Sequence, residues 1–300
     1  MYKSILEAVG NTPLVKIPFD SHASIYAKLE YLNPSCSIKA RSALYLIESA
    51  EKSGKLKPGG IIIDASSGNH ASAVAMIGAA KGYKVIIAVP HKISQEKLKT
   101  IQAYGAEVII VEVKENPQEY HAKAVELQKN TANSFMPNQY LNADNAQAHY
   151  LSTGPEIWKQ TNGKITHLIS GAGTGGTASG TGRFLKEQNP NIKIIAVDTN
   201  CSVLSSDGHP QPYKIEGIGL NFPDSPVIDQ NIIDEIIPVA DKDGISMLKP
   251  LAQNYGILAG MSSGAVAFVA QQLAKNLTKD DFVVMTFADS GRAYLTKGYY

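Results

Sequence analysis

The sequence predicts a doubly wound α/β fold, and three observations carry that expectation. Short runs rich in β-branched residues alternate with helix-length segments along most of the chain. Several of those runs are apolar on both faces, as strands inside a parallel sheet are. With 300 residues the chain can bury a large core and divide it between two lobes.

The first strand is expected at 61–64, where three isoleucines precede Asp64, and the next at 84–90, a β-branched run closed by Pro90. Further runs of this kind lie at 107–112, 166–170, 193–198, 235–239 and 282–287. Helices are expected around and between them at 41–53, 70–82, 94–105, 119–130, 145–161, 177–188, 244–254 and 263–276. Such spacing supplies the right-handed crossovers that parallel strands require. No internal repeat or low-complexity tract interrupts the alternation. The least regular stretch, 200–226, is rich in Ser, Pro, Asp and Gly. It is too long for a simple connector and is expected to be a functional loop.

Apolar residues make up 44% of the chain and charged residues 18%, as in soluble globular proteins. A formal net charge of +1 provides no field for a polyanion, so no nucleic-acid partner is expected. The longest apolar runs are about strand length, short of a membrane span, and Met1 leads into no signal-like apolar segment. Cys36 and Cys201 cannot form a disulfide framework, and their spacing matches no metal site. No metal is expected, and the setting implied is a reduced cytoplasm.

Residues 173–177 read Gly-Thr-Gly-Gly-Thr, after the apolar run 165–169 and before a helix-like stretch. A strand, a glycine turn and a helix start make a phosphate cradle, with backbone N–H groups and threonine hydroxyls as donors. No Walker-type loop and no G-x-G-x-x-G after the first strand accompany it, so a cofactor with a single phosphate is expected. Taken alone, the loop also fits a tight strand–helix turn. Four further motifs flank it. Asn33-Pro34-Ser35-Cys36-Ser37-Ile38-Lys39 leads into a helix, and Asp64-Ala65-Ser66-Ser67-Gly68-Asn69-His70 joins a strand to a helix. Pro137-Asn138-Gln139-Tyr140 precedes Thr153-Gly154-Pro155-Glu156-Ile157-Trp158, and Gly260-Met261-Ser262-Ser263-Gly264-Ala265 opens a late helix.

In this order the set resembles fold type II pyridoxal-phosphate enzymes, and within them the cysteine synthases and cystathionine β-synthases. The resemblance runs from Val9-Gly10-Asn11-Thr12-Pro13-Leu14 to Asp289-Ser290-Gly291. It implies two doubly wound lobes of the tryptophan synthase β type. Residues 40–147 would form a smaller, mobile lobe, and 1–39 with 148–300 a larger lobe that binds the cofactor.

The resemblance also assigns roles. Lys39 would hold pyridoxal 5′-phosphate covalently and then act as the base, chemistry that suits an amine whose pKa is lowered by burial. Gly173, Thr174, Gly175, Gly176 and Thr177 would hold the phosphate. Asn69 would face the ring hydroxyl. Ser66, Ser67, Asn69, His70 and Gln139 would bind the substrate carboxylate, and Gly217, after Glu216, would line the mouth. Ser262 would face the pyridine nitrogen. Being neutral, it leaves the ring a weaker electron sink, which favours β-elimination and β-replacement. Read singly, Ser66, Ser67 and Ser262 also fit helix caps, Gly217 a surface turn, and Lys39 an exposed lysine. Cys36 reads as a small packed residue, and His149 and Trp158 as structural.

Several positions depart from the synthase pattern. Lys39-Ala40-Arg41 stands where that family carries Lys-Asp-Arg, and Ser66 where it carries Thr. Ser66-Ser67-Gly68-Asn69-His70 is nearer to serine and threonine dehydratases, whereas the threonines of the phosphate loop are nearer to synthases. Gly219-Leu220-Asn221-Phe222 and Arg292-Ala293-Tyr294 depart as well. The activity implied is β-replacement on O-acetyl-L-serine or O-phospho-L-serine through an aminoacrylate, with sulfide giving cysteine. The alternatives are a serine or threonine dehydratase, a synthase adding homocysteine or an amine, and a non-catalytic relative. A homodimer is expected, with serine acetyltransferase as a further partner.

Overall fold

The computed structural model describes residues 1–113 and 119–300, which divide into two compact units. One comprises Met1–Val9 and Asn33–Asp144, and the other Gly10–Leu32 and Asn145–Tyr300.

The smaller unit is built on four parallel strands in the order Glu107–Val111, Lys84–Pro90, Ile61–Ala65, Ser134–Phe135. Lys84–Pro90 is buried along five of its seven positions, which explains its unbroken apolar sequence. Helix Asn69–Lys81 follows the central strand. Its residues 70–78 are all buried, so the segment is apolar all round rather than striped. It stops at Gly82 in the left-handed conformation (φ 74°), whose N–H bonds back to Ala79 O. Val74, Ile77, Ile62, Val85 and Ile87 meet in one core.

The larger unit has six strands in the order Leu14–Lys16, Ser24–Leu29, Phe282–Phe287, His167–Gly171, Lys193–Thr199, Glu235–Val239. The first pair is antiparallel and the remaining pairs are parallel. Helix Met261–Ala274 packs its apolar face with Ile169, Val283 and Met285, and helix Gly176–Gln188 lies in the cluster of Leu168, Ile194 and Ala196.

All seven strands expected from sequence are present, with ends shifted by a residue or so. Three further strands were not legible. Ser134–Phe135 is only two residues long. Ser24–Leu29 hides behind Lys28, a fully buried lysine whose Nζ donates to Thr12 O (2.9 Å) and Gln160 Oε1 (3.0 Å) and pairs with Glu156 Oε2 (2.9 Å). Leu14–Lys16 is the short edge strand paired with it. Two expected helices are each broken. The segment 145–161 forms Asp144–Leu151 and Thr153–Gln160, divided at Ser152 (φ −127°), because Pro155 can only sit in a helix's first turn. The segment 244–254 lies within Asp241–Ser246 and Leu248–Tyr255, with Pro250 again in a first turn. Between Thr199 and Glu235 there is no helix or strand, as the loop reading of 200–226 requires.

Candidate active site

In the smaller unit, the Lys39 motif forms a turn that runs into helix Lys39–Lys52. Cys36 occupies the left-handed region (φ 59°), its N–H donates to Asn33 O (2.8 Å), and Lys39 N–H donates to Ser37 Oγ (3.3 Å). Cys36 is therefore exposed rather than packed, because the turn points its side chain outward. Lys39 is half-buried and Ala40 is fully buried. An aspartate at position 40 would have to bury its carboxylate there.

Residues 66–70 follow the carboxyl end of strand Ile61–Ala65, and 137–139 follow the parallel strand Ser134–Phe135. Both turns thus leave the same end of the sheet, where ligands bind in open α/β folds. Gly68 caps helix Asn69–Lys81 with no side-chain cap bond. Ser66 Oγ accepts from Gly68 N–H instead (3.3 Å), so Ser66 closes the turn rather than caps the helix. Ser67 and Asn69 remain partly exposed, whereas Ser66 and Gln139 are buried.

His70 lies beneath the turn. It is 1% exposed, and its Nε2 sits 2.8 Å from Asp64 Oδ2, while Asp64 Oδ1 accepts from Ala65 N–H. The imidazole expected to line the turn is thus held against the strand by a carboxylate. Lys97, which sequence reasoning missed, is also nearly buried, with Nζ 3.7 Å from an ideal Cβ placed on Gly68. Nothing in its local sequence distinguishes it from Lys99, which is exposed on the same helix.

In the larger unit, strand His167–Gly171 runs through the 173–177 loop into helix Gly176–Gln188. Gly175 is in the left-handed region (φ 82°), and no side chain caps the helix. A Cβ on Gly173 would lie 2.8 Å from Gly217 O, so the two predicted glycine segments are packed against each other. Thr174 and Thr177 are each 7% exposed, and Gly176 N–H donates to Thr174 Oγ1 (3.3 Å).

Ser262 lies in the first turn of helix Met261–Ala274, whose cap is Gly260 with no side-chain bond. Its hydroxyl does not cap that helix. Instead Oγ lies 3.1 Å from an ideal Cβ on Gly217. Asp198 anchors the stretch 199–220. It accepts from Thr199 N–H (2.8 Å), Leu220 N–H (3.0 Å), Ser205 Oγ (2.6 Å) and Ser202 Oγ. Gly219 N–H donates to Ala172 O (2.9 Å), which ties this loop to the residue just before the cradle. Burial pushes the Tyr213 hydroxyl above its ordinary pKa, so it stays neutral where it accepts from Asn221 Nδ2 (3.0 Å).

The larger unit therefore brings together Gly173–Thr177, Gly217 and Ser262. The smaller carries Lys39, the 66–70 turn and Gln139. An uncapped helix start, a left-handed glycine and two buried threonines form a cradle for a phosphate. It holds no lysine or arginine, so its donors are backbone N–H groups and hydroxyls. These residues fit the phosphate of a pyridoxal cofactor. Among the described residues, no cluster of His, Cys, Asp or Glu could hold a metal ion, and no helix is long and apolar enough to cross a membrane.

Comparison with known proteins agrees. The family model described as pyridoxal-phosphate dependent enzyme matches residues 5–289. A cystathionine beta-synthase of Apis mellifera is 44% identical over 98% of this chain, which spans 60% of that protein's length. A cysteine synthase of Staphylococcus aureus is 41% identical over 99% of this chain and 96% of its own. The crystal structure of an O-acetylserine dependent cystathionine beta-synthase from Helicobacter pylori superposes with a TM-score of 0.93 at 37% identity, covering 100% of this chain and 99% of that one. The fold is that of the fold type II pyridoxal-phosphate enzymes.

Proposed function

The chain belongs to the pyridoxal-phosphate dependent enzymes, and from that premise we propose that it replaces the β-substituent of an activated serine with sulfide to give L-cysteine in the cytoplasm. O-acetyl-L-serine is the first choice of substrate and O-phospho-L-serine the second. When bound, pyridoxal phosphate supplies an aldehyde for covalent attachment and a conjugated ring that withdraws electrons from the amino acid's Cα.

Gly173–Thr177 would hold the phosphate through N–H and hydroxyl donors. Lys39 would carry the covalent attachment, and its Nζ would take the proton from the substrate Cα. Ser66, Ser67 and the N–H groups at the start of helix Asn69–Lys81, with Gln139, would grip the substrate carboxylate. Asn69 would orient the ring through its hydroxyl. Ser262 Oγ would face the pyridine nitrogen. A neutral hydroxyl does not keep that nitrogen protonated as a carboxylate would, so proton removal at Cα is helped by simultaneous loss of the β-substituent. This favours β-replacement over chemistry that stores charge on the ring. In the same proposal the smaller lobe is mobile, and Gly217 lines the mouth.

The choice of ester over free serine rests on His70. Acetate or phosphate departs without a proton, whereas hydroxide needs an acid beside it. His70, the acid-capable side chain of the 66–70 turn, is buried with Nε2 2.8 Å from Asp64 Oδ2. This supports an activated substrate and weighs against the dehydratase reading. Homocysteine as acceptor is the second reading, favoured by the two relatives named cystathionine beta-synthase.

The test is a side-by-side assay of O-acetylserine, O-phosphoserine, serine and threonine with sulfide, homocysteine or no acceptor. Cysteine from O-acetylserine should form at least ten-fold faster than keto acid from serine or threonine (about 1.4 kcal/mol). Keto acid forming faster than any amino-acid product overturns the proposal. A homodimer and binding of a serine acetyltransferase complete it, and light scattering of the chain with and without the acetyltransferase tests both.

A further inference from the structure

We infer that Asn145 and His149 are positioning residues that aim both threonine hydroxyls of the 173–177 loop at the cofactor's phosphate. The inference rests on the reading of that loop as the phosphate site. Sequence reading left His149 as structural and did not single out Asn145.

The two residues stand four apart on helix Asp144–Leu151, and so on one face of it, and both are buried. Asn145 Nδ2 donates to Thr174 Oγ1 (3.1 Å), and Gly176 N–H donates to the same oxygen (3.3 Å). A threonine hydroxyl has two lone pairs and one proton. With both lone pairs engaged, Thr174 has only its proton left to give.

At the other end of the loop, His149 Nε2 lies 3.2 Å from Thr177 Oγ1, and Nδ1 lies 2.9 Å from Thr153 Oγ1. If Thr153 gives its proton to Nδ1, the neutral ring carries hydrogen on Nε2 and donates it to Thr177 Oγ1. The Thr177 proton is then free for an anion. A protonated ring does the same and adds a positive charge. Only the tautomer with hydrogen on Nδ1 would consume the Thr177 proton. With hydrogen on Nε2, one helix face imposes donor polarity on both hydroxyls. The loop needs this because it has no cation of its own, and a hydroxyl turned the wrong way would face phosphate oxygen with a lone pair.

The test titrates the full chain, stripped of cofactor, with pyridoxal phosphate and with pyridoxal, which lacks the phosphate. The Kd for pyridoxal divided by the Kd for pyridoxal phosphate isolates the phosphate's share of affinity. Thr177→Val should lower that ratio about ten-fold, and so should His149→Phe and Asn145→Ala. His149→Phe should add nothing in the Thr177→Val background. His149→Gln, which can place an N–H where Nε2 stands, should stay within about two-fold of the unaltered chain. Should His149→Phe fail to fold, Asn145→Ala and its cycle with Thr174→Val decide the question. An unchanged ratio, losses that multiply in the double variants, or a glutamine variant as weak as phenylalanine overturns the inference. If Thr174→Val and Thr177→Val themselves leave the ratio unchanged, the loop is not the phosphate site, and the proposed function loses its cofactor cradle as well.

Discussion

Lys39 is the lysine that opens a helix after the Asn33–Ser37 turn, which sets its backbone and leaves the side chain half-buried. Reduction of the holoenzyme with borohydride, followed by peptide mass analysis, should place the cofactor on Lys39, and Lys39→Ala should show no fixed cofactor. Label on another lysine rejects the assignment. Gly175 offers a second residue-scale test. Its φ of 82° is a left-handed conformation, and a Cβ there would lie 2.7 Å from Ile228 Cβ. The conformational cost alone is roughly 1–2 kcal/mol. Gly175→Ala should therefore weaken cofactor retention about ten-fold, as read by dialysis against a cofactor trap. Retention equal to that of the unaltered chain would mean the loop tolerates the crowding and does not grip the phosphate closely. The loop glycines and the turn before Lys39 are legible in sequence because each is fixed by its own backbone. His70 is not, since its partner Asp64 lies across a turn and only packing decides which way the ring points.

At the scale of elements, the helix Thr153–Gln160 is tied to strand Ser24–Leu29 through the buried Lys28, which meets both Glu156 and Gln160. Glu156 Oε2 meets Lys28 Nζ at 2.9 Å, and Glu156 Oε1 accepts from Asn11 N–H at 2.9 Å. This gives the Thr-Gly-Pro-Glu-Ile-Trp motif a structural reason: its glutamate balances a lysine with no access to water. Removing one partner of such a pair costs about 3–5 kcal/mol, while replacing both by apolar residues is often neutral. Glu156→Leu should lower the urea midpoint markedly, and Lys28→Met in the same chain should recover most of the loss. If the double variant is no more stable than the single one, the cost lies in the Asn11 contact and not in the stranded charge. The sequence carried no sign of this pair, because a lysine in a short polar-looking run reads as exposed.

At the scale of the whole molecule, stability should fall in acid in two steps. Burial, partly opposed by Asp281 and reinforced by Lys193, holds His167 below its ordinary value of 6.5. The unfolded chain therefore takes up that proton first, and stability declines as pH drops below about 6.5 towards the folded value. Asp281 is held below 3.8, chiefly by the Thr278 N–H (2.8 Å), with burial opposing and the Thr278 hydroxyl and His167 assisting. Its contribution is fully present above 3.8 and is lost as pH falls through the folded value. Urea unfolding of the unaltered chain should show a lower midpoint at pH 5 than at pH 7, and His167→Gln should flatten that interval. Asp281→Asn should lower the midpoint above pH 4 and flatten the further decline below it. Equal slopes in the His167 variant and the unaltered chain would sink the assignment of the first step.

The chain's own sequence determined seven of its strands, most of its helices, the glycine–threonine loop, the turn before Lys39 and, through their order, the cofactor class. Each of these is encoded within about ten consecutive residues, by apolar periodicity, by backbone freedom at glycine, or by a turn that precedes a helix. Tertiary structure alone decided the rest. It set the order of strands in each sheet and the burial of Lys28 on Glu156. It turned His70 under its loop and brought Gly217 against Gly173. It also joined Asn145 to Thr174 and His149 to Thr177, partners 29 and 28 residues apart. A hydroxyl's polarity and a buried charge's partner depend on atoms that meet only when distant segments pack, and a linear pattern carries no record of that meeting.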